Sequence, residues 1–283
     1  MSGIDRSIGE LLVPLRSATV AIAFIPSQSE AKPAIFSCFG VKCADQIYLV
    51  TAGHVLEAID KAFEQYPEGR LRLKSITSKG FSTPWRLEPF SWTSLSETFK
   101  TLSANGGLDV QGDYLDPSLV EEIDIGVMRL GPLYVDNLRA DGFRPLELNA
   151  LGFPQRDELE SLVSGGADVS CYVHGALEES VEVTDPDNDF EYIWAILPIG
   201  IVDTSQPRFA FEPLWDRTIY SRGVKGMSGG PVGFLGRDGV RVVAVQSCQS
   251  TNGSAFPTKL HAWDAQFIEP ILRALVERDQ IQN

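Results

Sequence analysis

A chain of 283 residues and 31.0 kDa is long enough for one large domain or two packed halves around a sizeable core. Its 43% hydrophobic and 22% charged residues exclude a disordered or collagen-like chain. With 24 Lys and Arg against 38 Asp and Glu, the net charge of −14 argues against nonspecific nucleic-acid or anionic-membrane binding, which run on excess basic residues.

Short apolar, β-branched runs separated by turn residues dominate. Strands are expected over Ala18–Ile25, Ala34–Val41, Gln46–Val50 and Arg70–Ile76. Between the last two, His54–Tyr66 reads as a helix with Val55, Leu56, Ile59 and Phe63 near one face. Thr77–Leu119 is rich in Ser, Thr, Gly and Pro and reads as long loops with irregular strands. Further strands are expected over Ile123–Leu130, Leu148–Phe153, Asp168–Val173, Val181–Val183, Glu191–Leu197, Gly230–Phe234 and Val240–Gln246. A closing helix over Trp263–Val276 groups Phe267, Ile271, Leu272 and Leu275, and Pro270 implies a kink or a start only near Glu269. Many short strands and few helices indicate an all-β barrel or sandwich, with Asp136–Glu147 as the best crossing between two halves.

Several features are read as structural. The longest apolar run, Ala18–Pro26, is about half a membrane span, and the first residues carry no signal-peptide pattern. A cytoplasmic location without membrane contact is expected. Cys38, Cys43, Cys171 and Cys248 form no Cys-x-x-Cys pair and are expected as thiols, and Cys171 with His174 lacks a second pair to complete a zinc site. Asp157–Glu191 holds eleven acidic residues and no Lys or Arg, a pattern of a solvated hairpin face. Asp185-Pro186-Asp187-Asn188-Asp189 imitates a calcium loop, but Phe190 and Ile196 occupy the positions that need Gly and a bidentate carboxylate, so a tight turn is expected.

The chemistry concentrates in Gly226-Met227-Ser228-Gly229-Gly230-Pro231. A serine among glycines lets the backbone approach a substrate carbonyl and turn N–H groups toward a developing oxyanion. The string also fits the nucleophile elbow of α/β-hydrolases, but that fold needs the acid and then the histidine after the serine. Only 55 residues remain here, and no βαβ pattern surrounds Ser228. A serine nucleophile needs a base, and the chain has three histidines. His54 stands where an apolar strand ends in small residues and a helical turn begins, whereas His174 and His261 read as surface or structural. Asp124, flanked by Ile123 and Ile125, is a carboxylate in an apolar run, a place seldom accepted without a specific partner.

The order His54, Asp124, Ser228 on an all-β pattern resembles the chymotrypsin/trypsin-like serine peptidases, in particular bacterial stand-alone members. The resemblance rests on Thr51-Ala52-Gly53-His54, Asp124-Ile125-Gly126-Val127 and Gly226-Met227-Ser228-Gly229-Gly230-Pro231. Leu151-Gly152-Phe153-Pro154 also looks like the start of the second barrel in bacterial members. It implies two six-stranded antiparallel β-barrels with a C-terminal helix: an N-terminal extension over residues 1–16, a first barrel over 17–140 carrying His54 and Asp124, and a second over 141–283 carrying Ser228. The roles implied are nucleophile for Ser228, general acid/base for His54 and orienter for Asp124, with an oxyanion hole from the backbone N–H groups of Gly226 and Ser228. Gln246-Ser247-Cys248 would be the strand that pairs with an extended substrate and lines the primary pocket. Arg222, six residues before Ser228, falls where the pocket floor often lies. There it would favour an acidic side chain; its alternatives are an exposed position or a pairing with the acidic segment. Met227 stands where animal digestive members carry the aspartate of their activation switch, so that switch is absent.

These features imply a serine endopeptidase acting through an acyl-enzyme on a particular protein or peptide, with no cofactor or metal. One version is a regulated protease of bacterial stress or defence, held by a collapsed loop at Lys225–Met227 and opened by an activating protein partner. The alternatives are a catalytically silent peptide-binding module and an enzyme acting on esters.

Overall fold

The computed structural model describes residues 9–27, 32–75, 83–85, 92–94, 123–152, 170–178, 182–185, 189–203, 208–216, 224–236, 239–252 and 256–282. The chain opens with helix α1 (Val13–Ala18) and strands β1 (Thr19–Ile25), β2 (Ala34–Cys43) and β3 (Gln46–Thr51). Helix α2 (Gly53–Gln65) follows, then β4 (Arg70–Ser75), β5 (Thr83–Trp85), β6 (Trp92–Ser94), β7 (Gly126–Arg129), α3 (Pro132–Ala140) and β8 (Leu146–Glu147). The remaining strands are β9 (Ser170–Ala176), β10 (Glu182–Asp185), β11 (Asp189–Glu191), β12 (Trp194–Asp203), β13 (Arg208–Pro213), β14 (Pro231–Gly236), β15 (Gly239–Ser250) and β16 (Lys259–Asp264). A 3-10 turn at Ala265–Phe267 leads into α4 (Ile268–Gln282).

The strands form one closed barrel and one larger sheet. The barrel has six antiparallel strands in the order β12-β13-β16-β15-β14-β9, closed by β9 pairing with both β14 and β12. The other sheet has eight strands in the order β5-β4-β1-β2-β3-β7-β6, with β8 lying parallel beside β2. This corrects the expectation of a closed first barrel: among the described residues its end strands β5 and β6 do not meet. Each is described over three residues, a short ladder for a closing seam. Helix α2 packs Val55, Leu56 and Ile59 against the inner face of this sheet, beside Leu138 of α3 and Phe143.

Burial explains the apolar runs. All seven residues of β1 are buried because it lies between β2 and β4 with both faces covered. Val20, Ile22 and Phe24 face α2, while Ala21 and Ala23 pack on the side of Phe190 and Ala176. The sheet and the barrel share a third core, in which Leu12 and Leu15 meet Phe39, Val50 and Val127 from the sheet, Val245 and Trp263 from the barrel, and Ile271 and Leu272 of α4.

Two local expectations are corrected. Trp263 lies in β16 instead of opening a helix, because its ladder to Val245 and Arg208 outweighs the helical spacing of Trp263, Phe267 and Ile271. Helix α4 begins at Ile268 and accommodates Pro270 in its first turn. Leu148–Ala150 is a 3-10 turn followed by a single bridge from Leu151 to Val242, not a strand. Helix α3 occupies much of the expected crossing at Asp136–Glu147, with Pro132 in its first turn. The four cysteines are free thiols. Among the described residues no helix is long and apolar enough to cross a membrane.

Candidate active site

The apolar run of β3 ends at buried Thr51, Ala52 stays extended, and α2 starts at Gly53. Ala52 has no polar side chain to cap the helix, so the first helical N–H groups need an acceptor from elsewhere. Asp124 supplies it. The pairing of Thr51 with Gly126 brings Asp124 beside the helix start, where its Oδ1 accepts from the His54 N–H at 2.7 Å. Its Oδ2 lies 2.6 Å from His54 Nδ1 and accepts from the Ser247 hydroxyl at 2.5 Å. A negative group is also favoured at a helix N-terminus by the helix dipole.

Electrostatics follow from this geometry. Burial by itself would raise the Asp124 carboxyl, but the His54 hydrogen bond and charge, the Ser247 hydroxyl and the His54 N–H outweigh it and hold the group below its ordinary range. Asp124 is thus an ionised acceptor, and His54 Nδ1 must carry the hydrogen that faces it. Nε2 is left as the basic nitrogen. The His54 side chain is 44% exposed, and among the described residues Nε2 has no hydrogen-bond partner.

Ser228 lies in a loop pinned at nearly every carbonyl. Gly229 N–H donates to Gln246 O at 2.7 Å, Gln246 N–H to Gly230 O at 2.9 Å and Gly230 N–H to Met227 O at 2.8 Å. The Ser228 hydroxyl donates to Ser247 O at 3.0 Å, so the Ser228–His54 hydrogen bond is not made. Ser247 therefore joins the three residues, its hydroxyl on Asp124 and its carbonyl on Ser228. Gly226 adopts φ +91°, and a Cβ there would stand 2.6 Å from Glu178 N and 2.8 Å from Ala176 O, so only glycine fits. The backbone N–H groups of Gly226 and Ser228 donate to no described group. The Lys225 carbonyl is turned to the Glu178 N–H at 2.9 Å, and a Lys225–Glu178 ion pair at 2.9 Å reinforces it.

A residue that sequence reading missed holds this loop to the sheet. Ser37 of β2 is fully buried. Its hydroxyl donates to Gly226 O at 2.9 Å and accepts from Ala176 N–H at 2.9 Å. Its own N–H donates to Ser228 O at 3.1 Å, and its carbonyl accepts from Thr51 Oγ1 at 2.8 Å. The available signal was one hydroxyl inside the apolar run Ala34-Ile35-Phe36-Ser37-Cys38-Phe39.

The structure thus brings His54, Asp124, Ser228, Gly226 and Ser247 together. Gln246 is buried beside them, its Nε2 donating to Cys248 O at 2.9 Å, and Cys248 is half-buried on the same strand. Arg222 lies outside the described residues. His174 is not part of the group. It is buried at 0% exposure, donates from Nδ1 to Thr19 Oγ1 at 2.8 Å and stacks on Trp194 at 5.3 Å. His261 lies on β16, with Nε2 3.0 Å from Ser250 Oγ. Among the described residues no group of three His, Cys, Asp or Glu side chains is arranged to hold a metal ion. Compared with known proteins, the chain matches no protein-family model and no curated protein.

Proposed function

We propose that the chain is a serine endopeptidase of chymotrypsin-like two-barrel design, in which the eight-stranded sheet stands for the first barrel. The observation that carries this reading is the single carboxylate of Asp124 holding both the helix start and Nδ1 of His54, with Ser247 linking it to Ser228. In the reaction, Ser228 Oγ leaves Ser247 O and attacks the scissile carbonyl carbon while His54 Nε2 takes its proton. Asp124 stays ionised and stabilises the imidazolium. The N–H groups of Gly226 and Ser228 receive the oxyanion, each donor worth about 3 kcal/mol of barrier. The His54 proton then passes to the leaving amine, giving an acyl-Ser228. Water, deprotonated by His54, attacks the ester and releases the acid with Ser228 restored.

A collapsed oxyanion loop would carry the Lys225 carbonyl inward. Here that carbonyl is taken up by Glu178, which speaks against a closed resting form that waits for an activating partner. A second reading, a peptide-binding module without turnover, is favoured by one observation: the Ser228 hydroxyl is engaged with Ser247 O and not with His54. Labelling with a fluorophosphonate probe separates the two. The proposal expects labelling of the wild type that disappears in Ser228→Ala and falls at least a hundredfold in His54→Ala. Wild type as inert as Ser228→Ala would favour the binding module.

A further inference from the structure

Arg208 opens β13, half-buried, and among the described residues its side chain donates from Nη2 to Cys248 Sγ. Its Nε is buried and has no partner among the described residues. The strand register gathers further basic groups around it. Arg208 faces Trp263 across the β13–β16 ladder, His261 faces Cys248 across the β15–β16 ladder, and Lys259 faces Ser250. His261 Nε2 lies 3.0 Å from Ser250 Oγ, and Lys259 is exposed. Burial, then the charges of Arg208 and Lys259, hold His261 below its ordinary pKa, so the three side chains share one electrostatic field.

Among the described residues, Arg208, Lys259 and His261 form no ion pair, in a chain with 38 Asp and Glu. A guanidinium drawn partly out of water without a counter-charge is costly, and the usual resolution is an anionic partner. The location narrows that partner. β15 runs from Ser247, whose carbonyl accepts from Ser228, directly to Cys248 and Ser250, a span of about 10 Å at the rise of a strand.

We propose that Arg208, Lys259 and His261, gathered against Cys248 and Ser250, bind an acidic side chain of the substrate two to four residues before the scissile bond. The proposal rests on reading Ser228 as the nucleophile and β15 as the strand along which an extended substrate lies. Arg208 and Lys259 supply the charge, and the His261 and Ser250 pair supplies polar contacts.

The test uses fluorogenic peptide pools that carry Glu, Gln or Lys at the second, third or fourth position before the scissile bond, with fluorophosphonate labelling in parallel. A charge-assisted contact predicts a Glu-to-Gln ratio in kcat/KM of about ten or more at one of these positions. That ratio should fall toward one in Arg208→Gln and turn to a Lys preference in Arg208→Glu. Lys259→Gln, at an exposed position, should lower the ratio severalfold even if the Arg208 variants do not fold. Labelling and cleavage without an acid preference, or with one that survives both Arg208→Gln and Lys259→Gln, would overturn the subsite and leave the nucleophile standing. If the wild type neither labels nor cleaves, the nucleophile reading has failed. Binding of fluorescein-labelled Glu and Gln pools to Ser228→Ala then decides the subsite: a tenfold difference lost in Lys259→Gln supports it, and parity overturns it.

Discussion

Replacing Ser37 by alanine tests how the loop that carries Ser228 is held. The hydroxyl joins Gly226 O and Ala176 N–H, each at 2.9 Å, at a position with 0% exposure. Removing it leaves one acceptor and one donor buried without partners, and each such orphan costs about 1–3 kcal/mol. Relaxation of the Gly226 peptide recovers part of this, so about 3 kcal/mol of stability should be lost. Urea unfolding followed by tryptophan fluorescence measures it, as a fall in midpoint at unchanged slope. The fluorophosphonate reaction should slow by about tenfold as well, because the freed Gly226 peptide no longer holds its N–H in place. Ser37→Thr, which keeps the hydroxyl, should retain more of the labelling rate than Ser37→Ala if it folds. A Ser37→Ala protein within about 0.5 kcal/mol of wild type, with unchanged labelling, would refute the reasoning.

Two further substitutions probe independent parts of the structure. Asp124→Asn should lower kcat/KM by about 10³–10⁴-fold, because an amide no longer enforces the Nδ1–H tautomer of His54; steady-state kinetics check this, and a loss under tenfold would sink the proposed role. His174 has its pKa lowered to about 3, first by burial and then by the charge of Arg16, so the unfolded chain binds a proton that the folded one refuses. Stability should therefore fall as pH drops from about 6.5 toward 3, by up to about 1.4 kcal/mol per pH unit from this group. Urea midpoints between pH 7 and 5 should fall less steeply in His174→Gln than in wild type, and equal slopes would assign the pH dependence elsewhere.

How much was legible in the sequence depended on how local the cause was. β1, β2 and β3 stand within two residues of their expected bounds because their apolar, β-branched runs are buried on site. Helix α2 declared itself through Val55, Leu56 and Ile59 at helical spacing. Asp124 stood out because a carboxylate between two isoleucines needs a partner. Other features were set by distant pairing. The helical spacing of Trp263, Phe267 and Ile271 is real, but Trp263 sits in a ladder with two other strands. The alternation of Phe209 and Phe211 in β13 signals a strand; Pro213 at its end and the turn residues around it obscured the element. Ser37 reaches Gly226 across 189 positions, and no local pattern announces such a bond. That the first sheet does not close among the described residues likewise depends on how short β5 and β6 are there, which composition does not reveal.

The bonds of Ser37 also bear on the order in which the molecule assembles. The carbonyl of Ser228, the peptide of Gly226 and the amide of Ala176 all attach to one residue of the opposite half. Asp124, in turn, takes its third hydrogen bond from Ser247 of the barrel. Either half folded by itself would hold only a fragment of the constellation. A newly made chain would therefore lack the assembled constellation while its halves are still apart, and, on the proposed reading of Ser228, docking of the halves would be the step that arms it.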